Sequence, residues 1–344
     1  MNRKFLPMVL CSIFLCFNIL GCNLFAPNQT TGGYALVVIG SKYPLLPGNN
    51  LRGTAMDGME MAVLLKNQGY DVTYLVDDGI LTDYITDTTS PKISAHIENY
   101  KSSTFLKQFS PPFQPATNSQ IKTELANIRG KIKPEDTFIF YYAGHSGPSI
   151  DFDIPGLEDG FSNPDTEILQ LPNYNRFNNI DTYVSDDFLA LEMNKFPSET
   201  PKVVILDSCY SGGFIGQDGT QPLTGHTEDP RSQIIPNSWT GLFNKSDIIP
   251  SLGIVLSAAP EGLESRGDGD GGDANLNYDL FHGFFTYTLL EGVSNGKADT
   301  NRDGYISVSE IYNYSRFTIG RWSVVDYRPR ISGGPYDIIL FKSP

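Results

Sequence analysis

Short apolar runs alternate with helix-patterned segments along the chain, and this alternation is the feature that most restricts its fold. Buried strands appear as continuous apolar runs, whereas helices repeat their apolar residues about every three to four positions. Strands that alternate with helices predict an open, mostly parallel α/β sheet with helices on both faces. The apolar runs predict six strands, at residues 34–40, 71–77, 136–144, 202–207, 253–259 and 336–341.

Helical spacing fills the segments between the strands. Residues 51–70 place Met56, Met59 and Val63 at helical intervals, and Gly69 follows as a helix-ending glycine. Because this helix joins two strands, we predict a β-α-β unit with parallel strands. The other predicted helices are 119–132, 185–196 with Ser185 as its N-cap, and 278–293.

Two of the predicted strands end in residues that carry chemistry. The strand over 136–144 runs into His145, and the strand over 202–207 runs into Cys209. Sites in open α/β sheets lie at the carboxyl ends of strands, so neighbouring strands would place His145 beside Cys209. A histidine in that position takes or shares the thiol proton and so provides a thiolate nucleophile. The alternative is a small buried cysteine and a histidine in a turn.

The other histidines lack this context. None of them follows an apolar strand and a glycine turn, so we predict surface or helix positions for His96, His226 and His282.

The N-terminal segment has the pattern of a secretory signal. Two basic residues precede an apolar run that is too short for a stable membrane span, so we predict a signal peptide over 1–21. The run ends in Leu-Gly-Cys, which resembles the lipobox of bacterial lipoproteins and implies lipidation of Cys22. An ordinary signal peptide that contains a cysteine is the alternative. We expect a lipidated tether over 22–33 and a main domain over 34–344, anchored to a membrane outside the cytoplasm, in the periplasm or on the cell surface.

Cysteine usage favours a reactive role for Cys209. Of the four cysteines, Cys11 and Cys16 lie in the predicted signal peptide and Cys22 is the predicted lipid attachment site. A mature chain would keep Cys209 as its single thiol and could form no intramolecular disulfide. A lone thiol outside the cytoplasm is a liability unless its reactivity is used.

The charge balance argues against nucleic acid as a partner. The 344 residues contain 25 Lys and Arg against 39 Asp and Glu, a formal net charge of −14. Binding of phosphate backbones needs a basic face. An acidic surface instead suits cations or basic substrates.

Three segments together resemble the caspase and metacaspase peptidases in their bacterial form. They are the first β-α-β unit, FIFYYAGHSG over 138–147 and VVILDSCYSGGF over 203–214. The resemblance covers residues 34–344, with insertions, and implies a six-stranded sheet with helices on both sides. It also implies a cysteine endopeptidase that cleaves protein or peptide substrates without an organic cofactor. In such an enzyme His145 would be general base and acid, and Cys209 the nucleophile.

The resemblance further implies an oxyanion hole made of backbone N–H groups, for which Ser146, Gly147 and Cys209 are the candidates. In the family a glycine directly follows the histidine, whereas here Ser146 does. The departure predicts a shifted register or weak activity unless Ser146 adopts the required backbone angles. It also favours the alternative function, a catalytically weak or inactive lipoprotein of the same fold that binds or signals.

Acidic residues near Cys209 predict the preferred substrate side chain. Asp207 lies two residues before Cys209, so both side chains share one face of the strand. The resemblance to metacaspases gives this aspartate a place in a pocket for Arg or Lys, with a second acid after the next strand, which Glu261 matches. Two acids bind a guanidinium or ammonium group through charge-assisted hydrogen bonds. The alternative is that Asp207 caps the turn.

A long loop over 214–250 falls where caspases are cut between their large and small parts. It contains Arg231 and Lys245, which are candidate processing sites.

Residues 299–310 match the calcium loop of EF-hands at each fixed position. Glycine occupies position 6, as Gly304, and we expect a structural Ca²⁺ ion held by the remaining fixed positions. An Asx-rich turn between two helices is the alternative. The predicted ligands are Asp299, Asn301, Asp303, Tyr305 through its carbonyl, Ser307 and Glu310.

Overall fold

The structure is a computed structural model, and its chain divides into two units, Met1–Thr30 and Thr31–Pro344. All residues that the structure describes lie in the second unit. They are 32–45, 51–76, 107–109, 112–148, 167–174, 179–209, 211, 214, 253–259, 282–322 and 328–344.

A six-stranded sheet organises the described residues. The strands in chain order are β1 (Gly33–Ile39), β2 (Tyr70–Leu75), β3 (Thr137–Ala143), β4 (Ser146–Pro148), β5 (Glu167–Gln170), β6 (Tyr183–Ser185), β7 (Lys202–Asp207), β8 (Gly253–Ser257), β9 (Tyr305–Ser307), β10 (Arg330–Gly334) and β11 (Ile339–Lys342). The main sheet has the order β10-β8-β7-β3-β1-β2. Its strands are parallel except β10, which runs antiparallel to β8. The predicted open α/β sheet and its first β-α-β unit are therefore confirmed.

Helices cover both faces of this sheet, as predicted. They are α1 (Arg52–Asn67), α2 (Asn118–Arg129), α3 (Asp186–Met193), α4 (Phe284–Ser294) and α5 (Val308–Trp322). Val37 and Ile39 of β1 face a core shared with α1, α4 and α5, whereas Leu36 and Val38 face a core shared with α2 and α3. These four side chains are fully buried, and each contributes roughly 1.5–3 kcal/mol.

Helix ends follow local chemistry. Helix α1 ends at Asn67, Gly69 follows with φ +94°, which suits glycine, and β2 begins at the next residue, Tyr70. Ser185 caps α3 as predicted, because its Oγ accepts the N–H of Phe188 at 3.1 Å. Helix α4 begins at Phe284, later than the predicted start at 278, with Gly283 as an extended N-cap. Of the helices that the structure describes, none combines the length and the apolar character needed to cross a membrane.

The predicted strand over 336–341 is wrong in its partner. The sixth strand of the main sheet is β10, whereas β11 pairs antiparallel with β9 in a separate two-stranded sheet. Sequence patterning missed β10 because Arg330–Gly334 contains one apolar side chain, Ile331, and two glycines. An apolar run predicts a strand but does not specify which strand it pairs with.

Candidate active site

The carboxyl ends of β3 and β7 bring the two predicted catalytic segments together. These strands pair in parallel, with Ala143 opposite Asp207. His145 and Cys209 each follow two residues later, so they occupy matching positions beyond the sheet. The Gly144 N–H donates to the Asp207 carbonyl at 3.3 Å, and the Ser146 hydroxyl donates to the Cys209 carbonyl. Backbone and side-chain contacts therefore join the two turns directly.

Cys209 is partly exposed and forms no disulfide. Its turn is tied to the neighbouring strand, because the Ser211 hydroxyl accepts the N–H of Ala259 at 3.4 Å just beyond β8. The adjacent Ala258 N–H donates to the Leu206 carbonyl at 2.9 Å. Hydrogen bonds therefore hold the turn that carries Cys209, while the residue itself stays partly exposed.

His145 leads from β3 into the small antiparallel sheet of β4, β5 and β6. Its carbonyl accepts the Gln170 N–H at 2.9 Å and the Tyr142 hydroxyl at 2.7 Å. Its N–H donates to the Tyr43 hydroxyl at 2.9 Å, and the Tyr43 ring lies 4.8 Å from the imidazole between centroids. The sequence patterns did not identify either tyrosine as part of the site.

Ser146 occupies its place without backbone strain. Among the described non-glycine residues, φ is positive at Asn173 and Arg302, and Ser146 is not among them. A side chain where the family has glycine is therefore compatible with the backbone here. The Ser146 side chain is buried and bonded to the Cys209 turn.

Asp207 is buried, with 4% of its surface exposed, and lies against the N-terminus of α4. Its Oδ2 accepts the Thr286 N–H at 2.9 Å and the Thr286 hydroxyl at 2.7 Å. A β-carbon at Gly283 would collide with this carboxylate. Any substrate cation that Asp207 binds would therefore share the carboxylate with the helix.

A second set of buried polar residues, with His282 at its centre, lies at the same end of α4. His282, immediately before α4, places Nδ1 2.8 Å from Asp57 Oδ1 and Nε2 3.3 Å from Glu60 Oε1. The Gly283 N–H also donates to Asp57 Oδ2, at 3.0 Å. Burial lowers the pKa of His282, but its bonds to Asp57 and Glu60 outweigh burial and raise that pKa to about 10. Burial also raises the pKa of its partner Asp57, against the bonds from His282 that lower it, so the pair holds its proton more tightly than either group does in water.

The prediction of a surface or helix position for His282 is wrong, since His282 is 4% exposed and precedes the helix. Its partner Asp57 is fully buried in α1. An acidic residue between the apolar Met56 and Met59 of an amphipathic helix was the available signal that a buried cation faces it.

The loop over 299–310 has the backbone of a cation loop. The Asp299 carboxylate accepts the N–H groups of Asp303 and Gly304, at 3.2 and 3.1 Å, and Gly304 has φ +86°. Asn301 Oδ1 accepts the Asp303 N–H at 2.8 Å. Strand β9, which includes Tyr305, fills loop positions 7 to 9 before α5 begins.

Glu310, predicted to be the bidentate ligand, has other partners. Its Oε2 accepts the Ser307 N–H at 3.0 Å while Ser307 Oγ accepts the Glu310 N–H at 3.3 Å, a capping box at the start of α5. Its Oε1 accepts the N–H of Thr300 at 3.1 Å. Across the described ranges, no three His, Cys, Asp or Glu side chains are grouped as metal ligands. Asp299, Asn301 and Asp303 suit a cation, whereas Glu310 would first have to leave these bonds.

Six residues with predictions lie outside the described part of the chain. They are the predicted site residues Cys22, Arg231, Lys245 and Glu261, and the histidines His96 and His226.

Comparison with known proteins adds a family and a fold. The family model for the caspase domain of peptidase family C14 matches residues 32–316. No curated protein has a sequence that matches the chain. A crystal structure of a Geobacter sulfurreducens protein is 18% identical, with a TM-score of 0.51, and the match covers 91% of this chain and 98% of that one. Caspase-1 from Spodoptera frugiperda is 11% identical with a TM-score of 0.49, over 92% of this chain and 94% of its own.

Proposed function

Because the chain belongs to the caspase-domain family, we propose that it is a cysteine endopeptidase with Cys209 as nucleophile and His145 as general base and acid. The observation that carries the proposal is the parallel register of β3 and β7, which sets both residues two positions beyond paired strand ends. The partial exposure of Cys209 supports a role in which its thiol meets substrate.

The reaction follows from the chemistry of these two groups. His145 accepts the Cys209 proton as sulfur attacks the carbonyl carbon of the scissile peptide bond. The protonated imidazole then gives this proton to the leaving amine, which leaves a thioester on Cys209. A water molecule, deprotonated by His145, hydrolyses the thioester and restores the thiol.

Backbone N–H groups of Ser146, Gly147 and Cys209 are the proposed donors to the tetrahedral oxyanion. In an antiparallel ladder, residue pairs that exchange hydrogen bonds alternate with pairs that do not. Since the Gln170 N–H bonds the His145 carbonyl, the next pair, Ser146 and Leu169, is expected to exchange none. The Ser146 N–H would then face away from β5, which supports its role as a donor. By the same alternation the Gly147 N–H faces Ile168 of β5 and would have to leave that bond before it could serve as a donor.

We further propose that the enzyme prefers Arg or Lys before the cut bond. The support is Asp207, a buried acid two residues from the nucleophile, together with the acidic net charge of −14. Glu261 is proposed as the second acid. Arg231 and Lys245 would suit the same pocket, so cleavage within 214–250, by the chain itself or in trans, is part of this proposal.

The lipid anchor on Cys22 and the extracytoplasmic location remain part of the proposal on the strength of the N-terminal sequence. A mass of the purified protein that includes a diacylglyceryl group at Cys22 would support the anchor. A mature chain that keeps residues 1–21 would contradict it.

We also propose that Ca²⁺ binds the loop over 299–310 and stabilises the junction of β9 with β11. Asp299, Asn301 and Asp303 would hold the ion, and Glu310 would join them by exchanging its hydrogen bonds. Calorimetric titration of the full chain with Ca²⁺ should give binding that Asp303→Ala removes and that Asp136→Ala, a change in an exposed turn, leaves intact. Equal binding by both variants would contradict the site.

Cleavage of fluorogenic peptides that end in Arg, Lys or Asp tests the enzyme. The full chain in mild detergent would be assayed with Ca²⁺ and with EDTA, beside Cys209→Ala as the matched control. We expect hydrolysis of Arg and Lys peptides that Cys209→Ala abolishes. Hydrolysis of Asp peptides alone would keep the catalytic pair and reject the acidic pocket. No hydrolysis by a folded chain, before or after a cut within 214–250, would favour a binding or signalling protein.

A further inference from the structure

We infer that Tyr43 and Tyr142 are positioning residues. They hold the backbone N–H and the carbonyl of His145 and so set its imidazole against Cys209. The inference rests on the proposed function and adds two residues to it. Neither tyrosine would touch the substrate, and both would act through His145.

Tyr43 contacts both the backbone and the ring of His145. Its hydroxyl accepts the His145 N–H at 2.9 Å and lies within donating distance of the carbonyls of Gly40, at 2.9 Å, and Gln170, at 3.0 Å. Its ring centroid is 4.8 Å from that of the imidazole, with the planes tilted by 47°. Since Tyr43 is 1% exposed, its own packing restricts this ring and therefore restricts the imidazole beside it.

Tyr142 holds the opposite side of the same residue. Its hydroxyl lies 2.7 Å from the His145 carbonyl and 2.6 Å from the Gln170 carbonyl, and both oxygens share its proton. The His145 carbonyl also accepts the Gln170 N–H at 2.9 Å. His145 therefore has its N–H and its carbonyl bonded to groups that are themselves buried or in a sheet.

Two glycines leave the room for this arrangement. A β-carbon at Gly40 would meet the Tyr43 hydroxyl and would lie 2.7 Å from the Gln170 carbonyl oxygen. A β-carbon at Gly144 would overlap the Tyr142 hydroxyl. The chain approaches both hydroxyls as closely as glycine permits, so the tyrosines are in tight contact with the turn that carries His145.

Both hydroxyls keep their protons while the reacting groups titrate. Burial raises the pKa of Tyr43 and of Tyr142, and a thiolate at Cys209 raises both pKa values further. In the described ranges, the titratable side chains that contact His145 include Tyr43 and Tyr142, and Cys209 lies at the paired strand end. A hydrogen-bond pattern made by neutral groups stays the same whether His145 is charged or neutral.

Positioning is needed because Gly144 immediately precedes His145 and leaves the turn few constraints of its own. A displacement of about 1 Å in a catalytic group can lower a rate by roughly a hundredfold. Packing alone would explain buried tyrosines without any effect on the reaction, so the test needs a measurement that packing does not change.

The test is the pH dependence of alkylation of Cys209 by iodoacetamide. Peptide mass spectrometry of the full chain would follow Cys209 separately from Cys11, Cys16 and Cys22. The variants are Tyr43→Phe, Tyr142→Phe and His145→Ala. Thermal unfolding of each variant would establish that it is folded.

Tyr70→Phe is the matched control. Tyr70 is 3% exposed and donates its hydroxyl to the Leu340 carbonyl at 2.9 Å. It begins β2, at the amino edge of the parallel sheet, whereas His145 lies beyond the carboxyl edge. The control therefore removes a buried hydroxyl of the same kind at a distance from the site.

We expect the wild-type curve of alkylation rate against pH to have its inflection below about pH 8.5, since this is the pKa of a free thiol. In His145→Ala the inflection should shift to about 8.5. Tyr43→Phe should move the inflection in the same direction and slow alkylation at neutral pH by on the order of tenfold. Tyr142→Phe should have a smaller effect, because the Gln170 N–H still holds the His145 carbonyl. Tyr70→Phe should leave the inflection unchanged.

Two results would overturn the inference, and they differ. If Tyr43→Phe and Tyr142→Phe both keep the inflection pH of the wild type while His145→Ala shifts it, the positioning role alone is rejected. A wild-type inflection in His145→Ala would reject the catalytic pair and the positioning role with it.

Discussion

Two adjacent tyrosines of β3 take part in two different buried networks. Successive strand side chains point to opposite faces, so Tyr141 and Tyr142 reach opposite sides of the sheet. The Tyr141 hydroxyl lies 2.7 Å from the Thr286 hydroxyl, which donates to Asp207. The Tyr142 hydroxyl donates to the His145 carbonyl. The network of Tyr141 includes a buried carboxylate, whereas Tyr142 bonds to backbone carbonyls.

The two networks differ in whether they contain buried charges that lose their hydration. Among the described residues, the backbone groups of His145 bond to hydroxyl, carbonyl and N–H groups, which carry no formal charge. At the start of α4, Asp57 and Asp207 are both buried, and His282 and the helix N-terminus compensate them. Removing one member of a charged pair leaves the other unpaired, which is far more costly than losing one neutral hydrogen bond. The charged network should therefore dominate stability, and the neutral one should affect mainly the reaction.

The largest effect is expected for His282→Gln. This change removes the cation between Asp57 and Glu60 and should lower the free energy of unfolding by about 3 kcal/mol. Urea unfolding followed by circular dichroism measures the loss. The matched control is the double variant Asp57→Asn with His282→Gln, which removes both charges and should be less destabilised than the sum of the single variants. Additive losses would contradict a direct ion pair.

Stability should also fall with alkaline pH because of the same histidine. The pKa of His282 is raised from its ordinary value of 6.5 to about 10, so the folded protein holds this proton more tightly than the unfolded chain does. The stabilisation is complete below about pH 6.5 and is lost progressively as the pH rises to about 10. Unfolding curves of the wild type and His282→Gln should converge over this range. Parallel curves would contradict the shift.

Thr286→Val should have an intermediate effect. Because the Thr286 hydroxyl donates to Asp207, the Tyr141 hydroxyl must donate to Thr286, and valine breaks both bonds. We expect a loss of about 2 kcal/mol, since one acceptor is a charged carboxylate. Thr286→Ser keeps the hydroxyl and should retain most of that stability in the same urea titration. Equal losses in both variants would assign the effect to the methyl group instead.

The smallest effect on stability is expected for Tyr43→Phe. The change removes neutral hydrogen bonds and should cost about 1 kcal/mol. The cost should be the same at about pH 6 and about pH 9, because the pKa of Tyr43 is raised by burial and its hydroxyl stays neutral throughout. A cost that changes between these two pH values would show that the two networks do not differ as described.

The sequence was sufficient to predict the two strands that carry the candidate site and the residues at their ends. Apolar runs predicted β3 and β7, and the residues that follow them identified His145 and Cys209 as neighbours. The side chains around these residues were not predictable in the same way. Asp57 and His282 are 225 positions apart, and neither has a local pattern that names its partner.

Pairing between distant segments accounts for the other differences. The run at 336–341 was recognisable as a strand, but its partner β9 was not, because a period of two specifies a face and not a neighbour. The case of Glu310 is local: it matched a ligand position by spacing, but Ser307 and Glu310 also fit the capping-box pattern Ser-x-x-Glu, which was available in the sequence.

The sequence by itself determined the alternation of strands and helices, the two strand ends and the loop over 299–310, because each depends on residues close together in the chain. Only the tertiary structure decided which of the polar side chains are buried and with whom they are paired. Tyr43 reaches His145 across 102 positions, and Asp207 reaches Thr286 across 79. Hydrogen bonds and ion pairs of this kind depend on distances of about 3 Å, which are set when the helices close over the sheet.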